Sequence, residues 1–136
     1  MATAQAKRQK NLALIRAREV ATNLSIPISV LDAEGNLVFF NQAAEAMHGM
    51  KFSDCGELSA ADWPALFATE EVADGTPIPL EATPPSVALF ERRPVHKTLQ
   101  FTGADGVVRE VSVTAFPLIG REQELYGAMA IFWIAD

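Results

Sequence analysis

The sequence predicts an α+β domain, two strands followed by short helices and three further strands, with a helix in front of them. Strand-like apolar stretches come as a pair near the start and a run of three at the end, with helical and proline-broken segments between them. A stretch free of Gly and Pro, rich in helix formers, precedes the first strand. The chain has 136 residues, 49% hydrophobic and 21% charged, enough for one buried core without metal or disulfide staples.

The leading helix is expected over residues 6–23. Ala13, Ala17, Val20, Ala21 and Leu24 fall on one helical stripe, while Leu12 and Ile15 lie on a second sector. A helix with two apolar sectors must bury both. Residues 1–24 are therefore assigned as a cap and dimerisation helix, with Leu12, Ile15, Ala17, Val20 and Leu24 as candidate dimer-interface residues, and residues 25–136 as the domain proper. Packing of both sectors into one broad groove is the alternative.

Ile26, Ile28 and Val30 alternate with Pro27 and Ser29, the period of a half-buried strand. Residues 32–36, Asp-Ala-Glu-Gly-Asn, form a turn in which Gly and Asn tolerate positive φ, and Leu37 to Phe40 return as a strand. Asn41 is placed to cap a helix over 42–48 whose Ala43, Ala44 and Met47 face inward, and Gly49 closes it. A short helix is expected over 60–68 around Trp63, Leu66 and Phe67, broken by the prolines of Gly75 to Pro79. Pro84-Pro85 suit the first turn of another helix, through Val87, Leu89 and Phe90 to Glu91. Strands are expected over 95–101, 107–117 and 126–134. Val111, Val113 and Ala115 alternate with Ser112 and Thr114, one dry face and one wetter. The last strand is apolar on both faces and needs a cover on its outer side, for which the leading helix is the candidate.

Composition excludes several classes of function. One cysteine, Cys55, gives neither an internal disulfide framework nor a cysteine-rich zinc site, and His48 and His96 are too few for a multi-histidine centre. No apolar run approaches membrane-spanning length, and the first 25 residues lack the apolar block of a secretory signal, so the cytoplasm is expected. Net charge is −6, with +4 in residues 1–20 and −10 in the remainder. An acidic body repels nucleic acid and membrane surfaces, and the five leading cations scatter around their helix, so neither partner is expected.

Residues 28–49, ISVLDAEGNLVFFNQAAEAMHG, resemble the opening of a PAS domain: apolar strand, Asp-x-x-Gly turn, apolar strand, Asn cap, small-residue helix, Gly. Asp74-Gly-Thr-Pro-Ile-Pro79, Arg93-Pro-Val95, Asp105-Gly106 and Phe116-Pro-Leu118 are similar to the PAS subgroup with a proline-flanked helix before its last three strands. The resemblance spans about residues 25–134. It implies the PAS fold, a five-stranded antiparallel sheet cupping a small cavity, with short helices on one face. It also implies dimerisation through an N-terminal helix on the outer sheet face, and a role in sensing small ligands, light or redox state, or in dimerisation alone.

Haem and flavin are not expected. Light-sensing PAS domains carry their cysteine in an Asn-Cys-Arg-Phe-Leu-Gln segment, whereas residues 53–58 read Ser-Asp-Cys-Gly-Glu-Leu, without the Arg and Gln. For haem, His48 beside the exposed carbonyls of a helix end should face water, and His96 has the parity opposite Val95, Leu99 and Phe101. Glu45 and His48 share helical i, i+3 spacing, but two ligands do not make a metal site. No nucleophile–base set or phosphate loop is present in the sequence, so no enzymatic activity is expected. What remains is the cavity, with Val30, Phe39, Met47, Trp63, Leu66, Phe67, Leu89, Phe90, Leu99, Val111, Val113, Met129 and Ile131 as candidate ligand-binding residues. Lys97 shares the parity of Val95 and Leu99 and is either a polar anchor or a side chain snorkelling to solvent. The expected partners are a second copy of the chain, a small apolar ligand and a signalling output protein. A ligand-free dimerisation or docking module is the alternative.

Overall fold

The computed structural model describes residues 4–134, so residues 1–3 and 135–136 of the two assigned ranges lie outside the described residues. In chain order the elements are α1 (Ala4–Thr22), β1 (Ile28–Asp32), β2 (Leu37–Phe40), α2 (Gln42–His48), α3 (Phe52–Cys55), α4 (Trp63–Leu66) and β3 (Ala68–Glu70). A 3-10 turn at Leu80–Ala82 leads into α5 (Pro84–Glu91), β4 (Val95–Thr102) and β5 (Val108–Ile119), and a second at Arg121–Gln123 into β6 (Leu125–Ile134).

The sheet has six antiparallel strands in the order β2-β1-β6-β5-β4-β3, not five. The extra strand is β3, where Ala68, Thr69 and Glu70 pair with Thr102, Phe101 and Gln100. Its three residues are too short to show a period, and the sequence reading had ended a helix there. The helix around Trp63 is correspondingly a single turn, Trp63–Leu66.

Two apolar layers lie on opposite faces of the sheet. On the inner face Leu31, Phe40, Leu99, Phe101, Val111, Val113, Ala115, Ala130 and Phe132 pack with Met47, Trp63 and Phe67. On the outer face Ile28, Val30, Val38 and Met129 pack with Leu14, Ala17 and Ala21 of α1. Because α1 covers one side and the main core the other, β1 is buried on both faces rather than half-buried.

The inward face of α1 is thus Leu14, Ala17 and Ala21, and the two alanines allow close approach to the sheet. Leu12, Ile15, Val20 and Leu24 remain exposed, so Val20 and Leu24 do not share the buried stripe with Ala17. Arg18 lies over the Phe39 ring, 4.8 Å from its centroid, and extends the cover sideways.

β1 and β6 approach so closely at Gly127 that a Cβ there would lie 2.1 Å from the Leu31 carbonyl oxygen. That oxygen is backbone and cannot swing away. Gly127→Ala is expected to destabilise the fold by about 1–3 kcal/mol, measured as a lower urea midpoint at unchanged slope.

Candidate functional site

A cavity of about 50 Å³ opens on the inner sheet face. The sheet contributes Ser29, Leu31, Leu37, Leu99, Phe101, Val113 and Phe132; the remaining wall is His48, Trp63, Phe67, Thr69 and the start of α5, Thr83 to Pro85. Local sequence chemistry positions these groups. Asp32 Oδ1 accepts from the Glu34 and Asn36 amides, closing the β1–β2 turn. The turn then holds Trp63, whose Nε1–H donates to the Gly35 carbonyl at 2.9 Å. Pro84 and Pro85 occupy the first turn of α5, where no N–H is missed, and the Thr83 hydroxyl is bonded to the Leu80 carbonyl and the Ser86 hydroxyl.

His48 is the central polar side chain. It ends α2, yet it is buried rather than facing water. The β4–β5 turn folds over that helix end, with the Ala104 N–H donating to the His48 carbonyl. The imidazole stacks on Phe40 with centroids 4.1 Å apart and meets Phe67, Phe101 and Phe132 edge-on. Its Nδ1 lies 2.9 Å from the Ala44 carbonyl oxygen, which can only accept. Nδ1 therefore carries the proton, and Nε2 is left as a bare acceptor. Burial among aromatic rings lowers the imidazole pKa to about 4, against the smaller raising effect of the Ala44 hydrogen bond, so the ring is neutral at pH 7. Ser29, on β1, is also buried, and its Oγ has no hydrogen-bond partner.

Of the candidates read from the sequence, Trp63, Phe67, Leu99 and Val113 line this cavity. Met47 and Val111 lie in the same core, and Leu66 packs against it. Leu89 and Phe90 border a different pocket, where Phe90 is 79% exposed. Val30, Phe39, Met129 and Ile131 are on the opposite face, against α1. In strands apolar on both sides, composition does not reveal which parity faces the cavity, and a one-residue slip exchanges the two sets. Sequence reasoning missed Ser29, Leu31, Phe132 and His48 as wall residues. Phe101 was findable, since it shares the parity of Leu99.

The other groups singled out in the sequence lie away from the cavity wall. The Cys55 thiol is half-buried and donates to the Gly56 carbonyl; burial foremost, then Asp54 and Glu45, raises its pKa. Lys97 pairs with Glu71 at 2.8 Å. Exposed His96 bonds through Nδ1 to the Thr114 hydroxyl, and Glu45 accepts from the Phe52 amide. Among the described residues no group of three or more His, Cys, Asp or Glu could hold a metal ion, and no helix is long and apolar enough to cross a membrane.

A family model described as a PAS domain matches residues 15–77. No curated protein matches the chain. Among solved structures, the LOV protein of Rhodobacter sphaeroides is 14% identical with a TM-score of 0.66, over 94% of this chain and 68% of that one. A PAS domain from Colwellia psychrerythraea is 15% identical with a TM-score of 0.63, over 90% and 96% of the two chains. The LOV domain of a blue-light activated histidine kinase from Erythrobacter litoralis is 18% identical with a TM-score of 0.61, over 82% and 97%.

These similarities correct the expectation about cofactors. LOV domains characteristically bind flavin, so a departure at the six residues around Cys55 is no ground for excluding flavin from this fold. For the isoalloxazine ring the described wall offers one neutral imidazole and three hydroxyls, with no side-chain amide, and about 50 Å³ of space. The match over residues 15–77, the six-stranded sheet and the helical wall around one small cavity together give the chain the fold of a PAS domain.

Proposed function

We propose that the chain is a PAS sensory module that binds a small ligand in the cavity around His48 and acts through a homodimer made by residues 1–24, with residues 25–136 as the sensing domain. The observation that carries the ligand reading is a cavity lined mainly by aromatic and aliphatic side chains, with the buried Ser29 hydroxyl left unpartnered on its wall. Support for the dimer comes from α1: its inward face is used by its own sheet, while Leu12, Ile15, Val20 and Leu24 stay in solvent, Val20 at 55% exposure. Ala17, 7% exposed, acts as a spacer between helix and sheet. We also place the chain in the PAS subgroup with a proline-flanked helix, on the strength of Pro84 and Pro85 opening α5.

A second reading, a ligand-free dimerisation or docking module, is favoured by one number. The cavity of about 50 Å³ is far below the roughly 300–1,000 Å³ of common ligand pockets. Native mass spectrometry of freshly purified protein, with visible absorbance recorded on the same sample, separates the two. A dimer carrying a constant extra mass is the expected result, and a flavin would declare itself in the absorbance. A dimer of bare chain mass favours the docking module.

The dimer seam has its own test. Val20→Glu combined with Leu24→Glu is expected to convert the dimer to monomer in sedimentation velocity, with unchanged circular dichroism. Both residues are exposed, so folding of the single chain is unaffected. A variant that still sediments as a dimer moves the seam away from α1.

A further inference from the structure

Phe90 is 79% exposed, the most solvated large apolar side chain among the described residues. It belongs to neither apolar layer, because α5 buries Pro84, Ser86, Ala88 and Leu89 and leaves Phe90 in solvent. Folding of the chain therefore gains little from this ring. A lone exposed hydrophobic side chain is ordinary. This one, however, stands at a pocket of about 310 Å³ whose apolar wall includes Leu80, Leu89 and Leu125. The β1–β2 turn, the first 3-10 turn, α5 and the start of β6 all contribute to it, so no single segment makes the surface.

The charge at this pocket has one sign. Glu34 and Glu81 line it, and among the described residues no lysine or arginine does. The ion pairs among the described residues, Arg93–Glu91 and Lys97–Glu71, use neither carboxylate. Arg92 and Arg93 follow Phe90 in the chain but are turned elsewhere: Arg92 donates to the Gln123 carbonyl, and Arg93 pairs with Glu91 at 2.7 Å. An apolar hollow, an exposed aromatic ring and unpaired carboxylates together complement one kind of surface. We propose that this pocket docks a segment of a partner protein that sets an apolar side chain against Phe90, Leu80 and Leu125 and carries lysine or arginine beside it to meet Glu34 and Glu81. An acidic segment would be repelled, and a purely apolar one would take water from both carboxylates without replacing it. Phe90 stands clear of the wall as a rim rather than a lid, which suits a surface broader than the pocket. The site uses neither the His48 cavity nor α1, and it gives the signalling partner expected from the sequence a place to bind.

The test is a selection of random peptides displayed on phage, with the full chain as bait, followed by fluorescence polarisation of the recovered peptides. The expected peptides carry a large apolar residue flanked by lysine or arginine. Their affinity should fall about tenfold or more for Phe90→Ser, about threefold or more for Glu34→Gln combined with Glu81→Gln, and with added salt. All three residues are exposed, so both variants should keep the circular dichroism of the native protein. Recovery of no peptide that depends on Phe90 overturns the site. Peptides that depend on Phe90 but lack basic residues overturn the partner assigned to it. Sedimentation velocity of the native chain and Phe90→Ser completes the test: self-association lost in that variant gives the pocket to a second copy of the chain and overturns the proposal. Dissociation by Val20→Glu with Leu24→Glu concerns α1 alone, so the two surfaces are judged separately.

Discussion

Asn41→Ala is expected to destabilise the protein by about 3–5 kcal/mol, because it removes one side chain that hydrogen-bonds to three elements at once. Asn41 is 1% exposed. Its Oδ1 accepts from the Ala44 N–H, the helix cap, and also from the Ile28 N–H at the start of β1. Its Nδ2 donates to the Ala21 and Ile26 carbonyls at 2.9 and 2.8 Å, with a longer contact to Leu24 at 3.4 Å. An ordinary cap is worth about 1 kcal/mol. The excess comes from the buried amide of Ile28, which loses its partner inside the fold, and from the Ile26 carbonyl, whereas the Ala21 carbonyl keeps the Leu24 N–H. Urea unfolding of Asn41→Ala beside Asn41→Ser isolates the two contributions, since Ser retains a capping oxygen and has no amide to reach the end of α1. A loss near 1 kcal/mol for Asn41→Ala contradicts the three-way role. Hydrogen exchange should also quicken in α1, whose C-terminal turn is tied to the sheet through this residue.

Stability should fall steeply below neutral pH, and His48 should be the cause of a defined part of the fall. Its pKa is about 4 in the folded protein against 6.5 as the ordinary value. Between those limits the unfolded chain binds a proton that the folded chain refuses. Its contribution is therefore complete above about pH 6.5 and is lost progressively as pH falls toward 4, by roughly 3 kcal/mol in all. Below pH 4 both states are protonated and this loss grows no further. Carboxylates add their own dependence, so the measurement is the difference between the native protein and His48→Phe, with unfolding free energies taken at pH 7 and pH 4.5. A difference that does not change between the two pH values places the imidazole in contact with water and refutes the cage.

Local chemistry made the first half of the domain legible. Asp32, Gly35, Asn41 and Gly49 are residues whose side chain or backbone freedom demands one conformation. The turn, the cap and the left-handed end of α2 follow from them, with Gly49 at φ 73°. The prolines placed the start of α5 equally well. Legibility ended where a decision depended on distant partners. β3 exists because β4 offers it an edge, not because Ala68-Thr-Glu70 prefers to be extended. The same holds for the candidate site: four of its wall residues were readable as large apolar side chains in a cup, whereas the parity of β1 and β6 was not.

The sequence by itself therefore determined the first two and last three long strands, the turns and caps, and the need for a cover on the last strand, but not α3 or the sixth strand. These are properties of single residues and of short-range periodicity, which act within a few positions of the chain. Only the tertiary structure decided the sixth strand, which face of each doubly buried strand meets the cavity, and which face of α1 stays in solvent. It alone turned His48 from a solvated helix end into a neutral imidazole in an aromatic cage. Phe40, Phe67, Phe101 and Phe132 are scattered through 93 positions of the chain, and only packing brings them to one ring. Burial and the state of a titrating group depend on which surfaces meet, and long-range pairing sets that.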